Sequence, residues 1–414
     1  MQEFSYQSGK LYAEGVPVEE LALRYGTPLY VYSRNHLRDR FRAIATAMAD
    51  VKPMICYSVK ANSNAAVIKT LALEGAGFDI VSGGELFRAL RAGAEANKIV
   101  FAGVGKTREE IEYALNEEIA FFTCESEAEA VRISECAKRL GVKGRIAFRL
   151  NPDVDPKTHK YISTGKKENK FGLDLDRAMQ AYATAALLPH IEIAGLHMHI
   201  GSQILSADPF SEALNKIKEV CRTLKATYPT FRFLDIGGGL GINYKPDQQA
   251  LDPTVYAAAL LPVLKELGLQ VVLEPGRSIV GNAGILVCRV QYVKDSHFKK
   301  FIVTDGAMND LIRPALYQAH HEILPVVATT RTVTGDLVGP ICESGDFLAQ
   351  DRELPDVNPG DLVVALSAGA YGFSMSSNYN SRPRAAEVMV DGTQATQIRS
   401  RETWEDIVRG ENHV

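Results

Sequence analysis

Eight short apolar runs alternate with amphipathic stretches over about 240 residues, and this alternation limits the possible folds more than any other feature of the sequence. The runs lie near residues 54–59, 78–81, 98–101, 119–123, 145–150, 191–198, 231–236 and 270–274. Several stretches between them begin with a capping-box pattern, as at Thr107 with Glu110 and Ser126 with Glu129. The pattern predicts an α/β fold with a parallel, TIM-like (β/α)8 barrel; an open doubly wound sheet is the alternative.

The sequence changes character after Glu274, where short strand-like runs are separated by turn residues. These runs predict a second, mostly β domain, a β-barrel or sandwich, which recruits the N-terminal segment into its sheet. The predicted domains are therefore a barrel over residues 31–275 and a β domain formed by residues 1–30 and 276–414. The long polar stretch 151–172 predicts a lid or binding loop.

Composition excludes several classes of protein. A net charge of −4 with 23% charged residues leaves no basic stripe for nucleic acid or for an anionic membrane. No apolar run approaches membrane-spanning length, and the first residues do not resemble a signal segment. The six cysteines are scattered without a C-x-x-C pair, which argues against a zinc site and a disulfide framework and favours a reducing cytoplasm.

Polar residues gather where the predicted barrel strands end, which is the side on which such barrels carry their active sites. Lys60 follows the first strand, whose apolar character predicts a buried amine. Burial of an ammonium is costly, and the same desolvation lowers the lysine pKa and makes its amine nucleophilic. The alternative is a lysine that simply extends into solvent.

The run Gly237-Gly238-Gly239-Leu240-Gly241 follows the seventh strand. Glycines let backbone N–H groups approach an anion closely, and phosphate sites of barrels favour the loops after strands 7 and 8. The run lacks the Lys-Ser/Thr of a P-loop. It predicts a phosphate-binding turn, with an ordinary tight turn as the alternative.

The pattern His197-x-His199 after the sixth strand has three interpretations. The two side chains share a strand face and would form half of a metal site, with Asp235 and Glu274 as the other candidate ligands. His199 can instead stack on a planar ring, and His197 can be a hydrogen-bonded core residue. Pyridoxal 5′-phosphate (PLP) is a cofactor that suits this set of groups: a lysine, a phosphate turn, a flat side chain and a carboxylate. Glu274 would pair with the ring nitrogen of PLP; the alternative is an ordinary salt bridge between Glu274 and Arg277.

Taken together, these segments resemble the alanine-racemase-type, fold-type III PLP-dependent decarboxylases. The resemblance rests on residues 57–62 (YSVKAN), 82–86 (SGGEL), 197–203 (HMHIGSQ), 237–239 (GGG) and 274–277 (EPGR). Three later segments resemble the members that act on diaminopimelate: 313–317 (RPALY), 342–346 (CESGD) and 370–380 (AYGFSMSSNYN). The motifs cover nearly the whole chain and occur in the family's order.

The resemblance implies a role for each matching residue. Lys60 would hold PLP covalently, His199 would stack on its ring, and Glu274 would face the ring nitrogen. The phosphate or the substrate carboxylate would be surrounded by Ser202, Gly237, Gly238, Gly239, Gly276, Arg277 and Tyr371. The substrate would be bound by Arg277, Arg313, Tyr317, Glu343 and Tyr371, with Arg313 and Tyr317 on one helical face. Glu343 would recognise the distal amino group.

Cys342 would be the proton donor, because burial tends to keep a thiol protonated; an inert core cysteine is the alternative. In the family, two chains pair head to tail and the Cys342 loop completes the partner's site, so the β domain would supply substrate and dimer contacts. The implied reaction is decarboxylation of meso-2,6-diaminopimelate to L-lysine and CO2. A decarboxylase of ornithine or arginine, a non-catalytic PLP-binding regulator and a metal hydrolase are the competing hypotheses.

Overall fold

The computed structural model describes residues 4–155 and 171–412 of the chain. Most of the predicted lid or binding loop, residues 156–170, lies outside the described residues. The chain divides into two compact units. The barrel unit comprises Asp39–Ile242 and Gln249–Ser278, and the β unit comprises Met1–Arg38, Asn243–Gln248 and Ile279–Val414.

Within the described residues, strands and helices follow one another in a regular order. The strands are β1 (Phe4–Gln7), β2 (Lys10–Ala13), β3 (Val16–Pro17), β4 (Leu29–Ser33), β5 (Met54–Ser58), β6 (Gly77–Ile80), β7 (Ile99–Phe101), β8 (Phe121–Cys124), β9 (Gly144–Asn151), β10 (Leu173–Asp174), β11 (Ile191–Met198), β12 (Phe233–Asp235), β13 (Gln270–Leu273), β14 (Gly284–Asp295), β15 (Lys300–Thr304), β16 (Ile323–Pro325), β17 (Thr332–Val338), β18 (Phe347–Pro355), β19 (Leu362–Ala365), β20 (Ala386–Asp391) and β21 (Gln394–Arg399). The helices are α1 (Val18–Tyr25), α2 (Arg34–Ala47), α3 (Ala65–Leu73), α4 (Gly83–Arg91), α5 (Arg108–Asn116), α6 (Glu127–Leu140), α7 (Leu175–Ala186), α8 (Asp208–Thr227), α9 (Pro253–Leu267), α10 (Arg277–Val280), α11 (Arg313–Tyr317) and α12 (Trp404–Val408).

The barrel unit is a closed circle of eight parallel strands. Its order is β5, β6, β7, β8, β9, β11, β12 and β13, and β13 pairs back to β5, while β10 adds to β9. The closure confirms the predicted (β/α)8 barrel and excludes the open sheet. Because all these strands are parallel, their carboxyl ends lie on one side of the barrel, called the rim below.

Apolar strands fill the barrel, since residues such as Val100, Phe121 and Val272 are fully buried in one cluster. The Thr107 capping box at α5 is confirmed, with both reciprocal hydrogen bonds present. The second predicted capping box, Ser126 with Glu129, forms only one of its two hydrogen bonds. Ser126 caps α6, but the Glu129 side chain accepts the N–H of Glu125 rather than that of Ser126.

The β unit contains a small antiparallel sheet of β1, β2 and β3 and a larger sheet of nine strands. As predicted, the N-terminal segment joins the larger sheet, where β4 lies antiparallel to β14 and parallel to β20. Two apolar clusters fill this unit, one on each side of β4, because Leu29 and Val31 belong to one cluster and Tyr30 and Tyr32 to the other. Among the described helices of the whole chain, none has the length and apolar composition needed to cross a membrane.

Candidate active site

Lys60 follows β5 directly, in a 3-10 turn over Val59–Ala61 at the rim. Its Nζ lies 2.5 Å from Oδ2 of Asp79, which is fully buried on β6 and also accepts a 2.7 Å hydrogen bond from the Ser58 hydroxyl. The Lys60 side chain retains 40% of its surface exposed, so the prediction of a buried amine is wrong. An ion pair with a buried carboxylate, rather than removal from water, holds the ammonium at the rim.

A second polar cluster lies on the last three barrel strands. His197 on β11, Asp235 on β12 and Glu274 just after β13 have ligand-capable atoms within 4.8 Å of one another, and His197 Nε2 is 3.3 Å from Glu274 Oε2. Burial raises the pKa of Asp235 well above its usual range, and the charge of Glu274 raises it further. Burial alone would raise the pKa of Glu274, but His197 and Lys60 bring it below its usual value. Asp235 is therefore the protonated partner and Glu274 the carboxylate.

The two histidines of the His197-x-His199 pattern have different partners. His197 belongs to the carboxylate cluster, whereas His199 lies outside the cluster that the described residues form. Nδ1 of His199 accepts the N–H of Gly238 at 3.2 Å, so this nitrogen carries no proton. Burial, followed by the charge of Arg149, lowers the pKa of His199 well below its usual value. His199 is thus a neutral, flat ring at the end of β11.

The glycine run is packed too tightly for side chains. A Cβ on Gly238 would lie 2.0 Å from the Glu274 carbonyl oxygen, and one on Gly237 would lie 2.7 Å from His199 Nδ1. Gly237 and Gly239 also have φ of +68° and +108°, values that favour glycine. The Gly237 N–H is bound to Oδ1 of Asp235 at 2.9 Å. The turn is consequently fixed against both the histidine and the carboxylate cluster.

Arg277 and Ser202 meet on the same rim. Arg277, buried at the start of α10, donates to the Ser202 hydroxyl through Nε at 3.3 Å and through Nη2 at 3.0 Å. A Cβ on Gly276 would lie 3.0 Å from Ser58 and 3.1 Å from Ala61, so the loop after β13 packs directly on the turn that carries Lys60. The barrel unit therefore gathers a lysine, a neutral imidazole, a glycine turn, a hydroxyl, a guanidinium and a carboxylate at the ends of its strands.

The β unit carries the remaining predicted site residues. Arg313 and Tyr317 are the first and last residues of α11, which fulfils the condition that this segment be helical. Tyr371 has φ of +56°, a strained value for a residue with a side chain. Glu343 accepts a 2.8 Å hydrogen bond from the Tyr379 hydroxyl. Cys342 is exposed, so the prediction that burial protects its thiol does not hold for the single chain.

Several contacts of the site residues are not visible from the sequence. Asp79 and Asp235 stand out as carboxylates within apolar strands, which need a partner, but the sequence does not show what those partners are. Arg149 donates to Glu125 at 3.1 Å and to the His199 carbonyl at 3.3 Å, and it thus supports the end of β11. Such pairings depend on how strands lie beside one another, which is not visible from motif spacing.

The barrel and this rim define an enzyme that binds PLP at the ends of its strands. The family described as "Pyridoxal-dependent decarboxylase, pyridoxal binding domain" matches residues 34–281. Accordingly, the chain belongs to the family of pyridoxal-dependent decarboxylases.

Within this family, the chain is similar over nearly its whole length to diaminopimelate decarboxylases. A diaminopimelate decarboxylase of Aquifex aeolicus is 51% identical over 404 residues, which cover 97% of this chain and 96% of the relative. A diaminopimelate decarboxylase of Pseudomonas aeruginosa is 50% identical over 415 residues, covering 100% and 99%. The crystal structure of diaminopimelate decarboxylase from Helicobacter pylori complexed with L-lysine is similar with a TM-score of 0.91 at 41% identity, covering 95% of this chain and 98% of that one.

Proposed function

We propose that this protein decarboxylates meso-2,6-diaminopimelate to L-lysine and CO2, with PLP as cofactor. The observation that carries the proposal is similarity at about half identity, over nearly the whole chain, to relatives that are diaminopimelate decarboxylases. The barrel rim supports the reaction class, because its residues are those that a phosphorylated, cationic aromatic ring requires.

The residues of the rim fit PLP. Glu274 is buried at the rim as a carboxylate beside the protonated Asp235, and a buried negative charge suits a protonated ring nitrogen. The glycine run provides a backbone surface without side chains for a phosphate, flanked by Ser202 and Arg277. Lys60 would hold the cofactor covalently and His199 would stack on its ring. When bound, PLP supplies a ring that accepts the electrons of the broken carbon–carbon bond.

The charges around this place have distinct roles. Glu274 stays ionised, so it can keep a ring nitrogen protonated, while the proton on Asp235 removes a second negative charge that would compete. Asp79 orients the Lys60 amine before the cofactor is attached. Neutral His199 adds no positive charge beside the ring, so its contribution is contact area and orientation.

Both ends of diaminopimelate carry charged groups, and the proposed site has charged side chains for each end. Arg277 would bind one carboxylate, Arg313 with Tyr317 the other, and Glu343 the distal ammonium, with Tyr371 beside the phosphate or carboxylate. Ornithine lacks the distal carboxylate. A site built to bind that group loses affinity for a substrate that lacks it, because the contact between the carboxylate and the buried guanidinium is then not made.

Cys342 would hold, on Sγ, the proton that is delivered to the reacting carbon. Its exposure in the single chain supports a homodimer with shared active sites, in which the partner chain covers the Cys342 loop. All six cysteines are free, and five of them are buried, which is consistent with a cytoplasmic protein.

The test is CO2 release from meso-diaminopimelate compared with ornithine, with and without added PLP. We expect turnover of diaminopimelate that depends on PLP, and little turnover of ornithine. Borohydride reduction should fix the cofactor to Lys60, identified by peptide mass. Preferential turnover of ornithine would overturn the substrate assignment, and a protein that never binds PLP would overturn the whole proposal.

A further inference from the structure

A buried histidine in the β unit bonds directly to Arg313. His321 has no exposed surface, and its Nε2 lies 2.9 Å from Nη1 of Arg313. Its other ring nitrogen, Nδ1, lies 2.8 Å from the carbonyl oxygen of Leu366. His321 carries no role in the function proposed above, although its imidazole occupies a site where both nitrogens are used.

These two contacts determine the protonation state of the ring. A guanidinium can only donate, so Nε2 of His321 must accept the hydrogen bond from Arg313. A carbonyl can only accept, so Nδ1 must carry the proton and donate it to Leu366. One neutral tautomer satisfies both requirements, and a doubly protonated ring would place an N–H against the N–H of Arg313.

The guanidinium also lies on an aromatic face. The Cζ of Arg313 is 4.5 Å from the centroid of the Tyr244 ring, and the Tyr244 and His321 rings pack edge to face with centroids 5.5 Å apart. The hydrogen bond to His321 therefore sets the direction in which the Arg313 guanidinium points, and the contact with the Tyr244 ring sets the position of its plane. Both of these rings are uncharged, so neither ring neutralises the charge that a carboxylate ligand would use.

The backbone that carries His321 is held as well. Arg352 donates to the His321 carbonyl at 2.7 Å, and its other nitrogen lies 3.2 Å from His320 Nε2 and 3.3 Å from Glu322 Oε2. The Leu366 N–H donates to the Glu322 carbonyl at 2.9 Å. These hydrogen bonds hold the backbone on either side of the imidazole in place. A residue that positions a longer, flexible side chain must itself be held in this way.

We propose that His321 is a positioning residue for substrate specificity: as a neutral hydrogen-bond acceptor, it aims the Arg313 guanidinium at the distal carboxylate of the substrate. The inference rests on the proposed function, in which Arg313 binds that carboxylate. It predicts that loss of the acceptor weakens every ligand that has the distal carboxylate and spares ligands without it.

Two substitutions separate the acceptor from the rest of the ring. In His321→Asn, the amide can still donate to Leu366, but no atom reaches the place of Nε2. In His321→Gln, the longer side chain can bring its carbonyl oxygen to that place and accept from Arg313. His320→Asn is the matched control: its imidazole lies beside Glu322 and Arg352 rather than Arg313, and Arg352 keeps its bonds to the His321 carbonyl and to Glu322 without it.

For H321N we expect KM for diaminopimelate to rise about tenfold and kcat to stay within about threefold, which is the loss of one hydrogen bond to a charged group. H321Q should recover most of this loss, and H320N should behave as the wild type. A second measurement needs no turnover. L-lysine retains the distal carboxylate and cadaverine lacks it, so H321N should weaken binding of L-lysine about tenfold and leave that of cadaverine unchanged, by calorimetric titration of the PLP-loaded protein.

Unchanged KM and L-lysine affinity in H321N would overturn the inference, as would equal weakening of both ligands or no recovery in H321Q. Should H321N fail to fold by its circular dichroism melt, Tyr244→Leu removes the ring beside the guanidinium and must give the same selective loss. A wild-type protein that binds neither diaminopimelate nor L-lysine would instead refute the proposed function, and the two failures are therefore distinguishable.

Discussion

At the scale of single residues, the fold holds several carboxyl groups in surroundings that favour the protonated form. Asp310 in the β unit is an instance away from the rim. It is 1% exposed, and burial raises its pKa to about 7, although a hydrogen bond from the Ala307 N–H opposes the shift. The folded chain therefore holds a proton on Asp310 at pH values where the unfolded chain, with an ordinary aspartate pKa near 4, has released it.

This difference makes stability fall as pH rises from about 4 to about 7, since the native state binds the extra proton over that range. Asp310→Asn resembles the neutral acid at all pH values and can still accept from Ala307. We expect the melting temperatures of D310N and wild type to agree near pH 4 and to diverge above pH 7, with the variant more stable by on the order of 3 kcal/mol.

Asp295→Asn is the control for exchanging a carboxyl group for an amide, because the Asp295 side chain is exposed. Its melting temperature should lie close to that of the wild type. Parallel pH dependence of D310N and wild type would mean that Asp310 is ionised in the native state.

Cys342 supports a second prediction at this scale. Cys342→Ala removes the proposed proton donor but touches none of the groups assigned to PLP. We expect PLP binding and the visible absorbance to remain, and turnover of diaminopimelate to fall by at least about a hundredfold, as for loss of a general acid. Full activity in C342A would refute the donor role. Cys221→Ala, at a buried cysteine of α8, is a control for the loss of a thiol.

At the scale of elements, the sequence determined the strands, the closed barrel and most helix ends, because these follow from local apolar spacing and capping side chains. Thr107 and Ser126, for example, each cap the helix that their position predicts. Pairings between elements were not accessible in this way. The Glu129 side chain, for example, accepts hydrogen bonds from the Glu125 N–H and from Lys106, and only the folded loop shows these two partners.

The same limit applies to the site. Lys60 was identifiable as a lysine at a strand end. Its ion pair was not, because it depends on the pairing of β5 with β6, which brings Asp79 beside Lys60. The Cys342 thiol was expected to be buried, because burial tends to keep a thiol protonated. Cys342 is exposed in the single chain, and a sequence motif does not show whether another chain covers that surface.

The glycine turn after β12 gives a prediction for an element as a whole. Gly238→Ala would place Cβ 2.0 Å from the Glu274 carbonyl, far closer than the 3.4 Å at which ordinary contact begins, so the turn must move. We expect PLP affinity to fall at least about tenfold and unfolding to become easier by about 1–3 kcal/mol, the usual effect of overpacking. PLP titration and thermal melts measure the two effects.

Gly105→Ala is the matched control, since a Cβ there meets nothing within 4 Å. The G105A variant should bind PLP and melt as the wild type does. Wild-type PLP affinity in G238A would show that the turn does not contact the cofactor.

At the scale of the whole molecule, the residues assigned to the proposed function are divided between the two units. Lys60 and most of the residues assigned to PLP belong to the barrel unit, whereas Cys342, Glu343, Arg313 and Tyr371 belong to the β unit. In a homodimer with shared sites, Lys60 of one chain and Cys342 of the other serve the same substrate. Activity would then be a property of the pair of chains.

Mixing two inactive variants tests this arrangement. We expect Lys60→Ala and Cys342→Ala each to be inactive alone, whereas a mixed dimer with shared sites would have one site in which both groups are intact and one in which both are lost. With random exchange about half of the dimers are mixed, so activity should recover to about a quarter of the wild-type value. Co-refolding of the two variants, followed by assay of CO2 release, measures the recovery. If Lys60 and Cys342 of the same chain served one site, every site in the mixture would lack one of them, and activity would stay at the level of the separate variants.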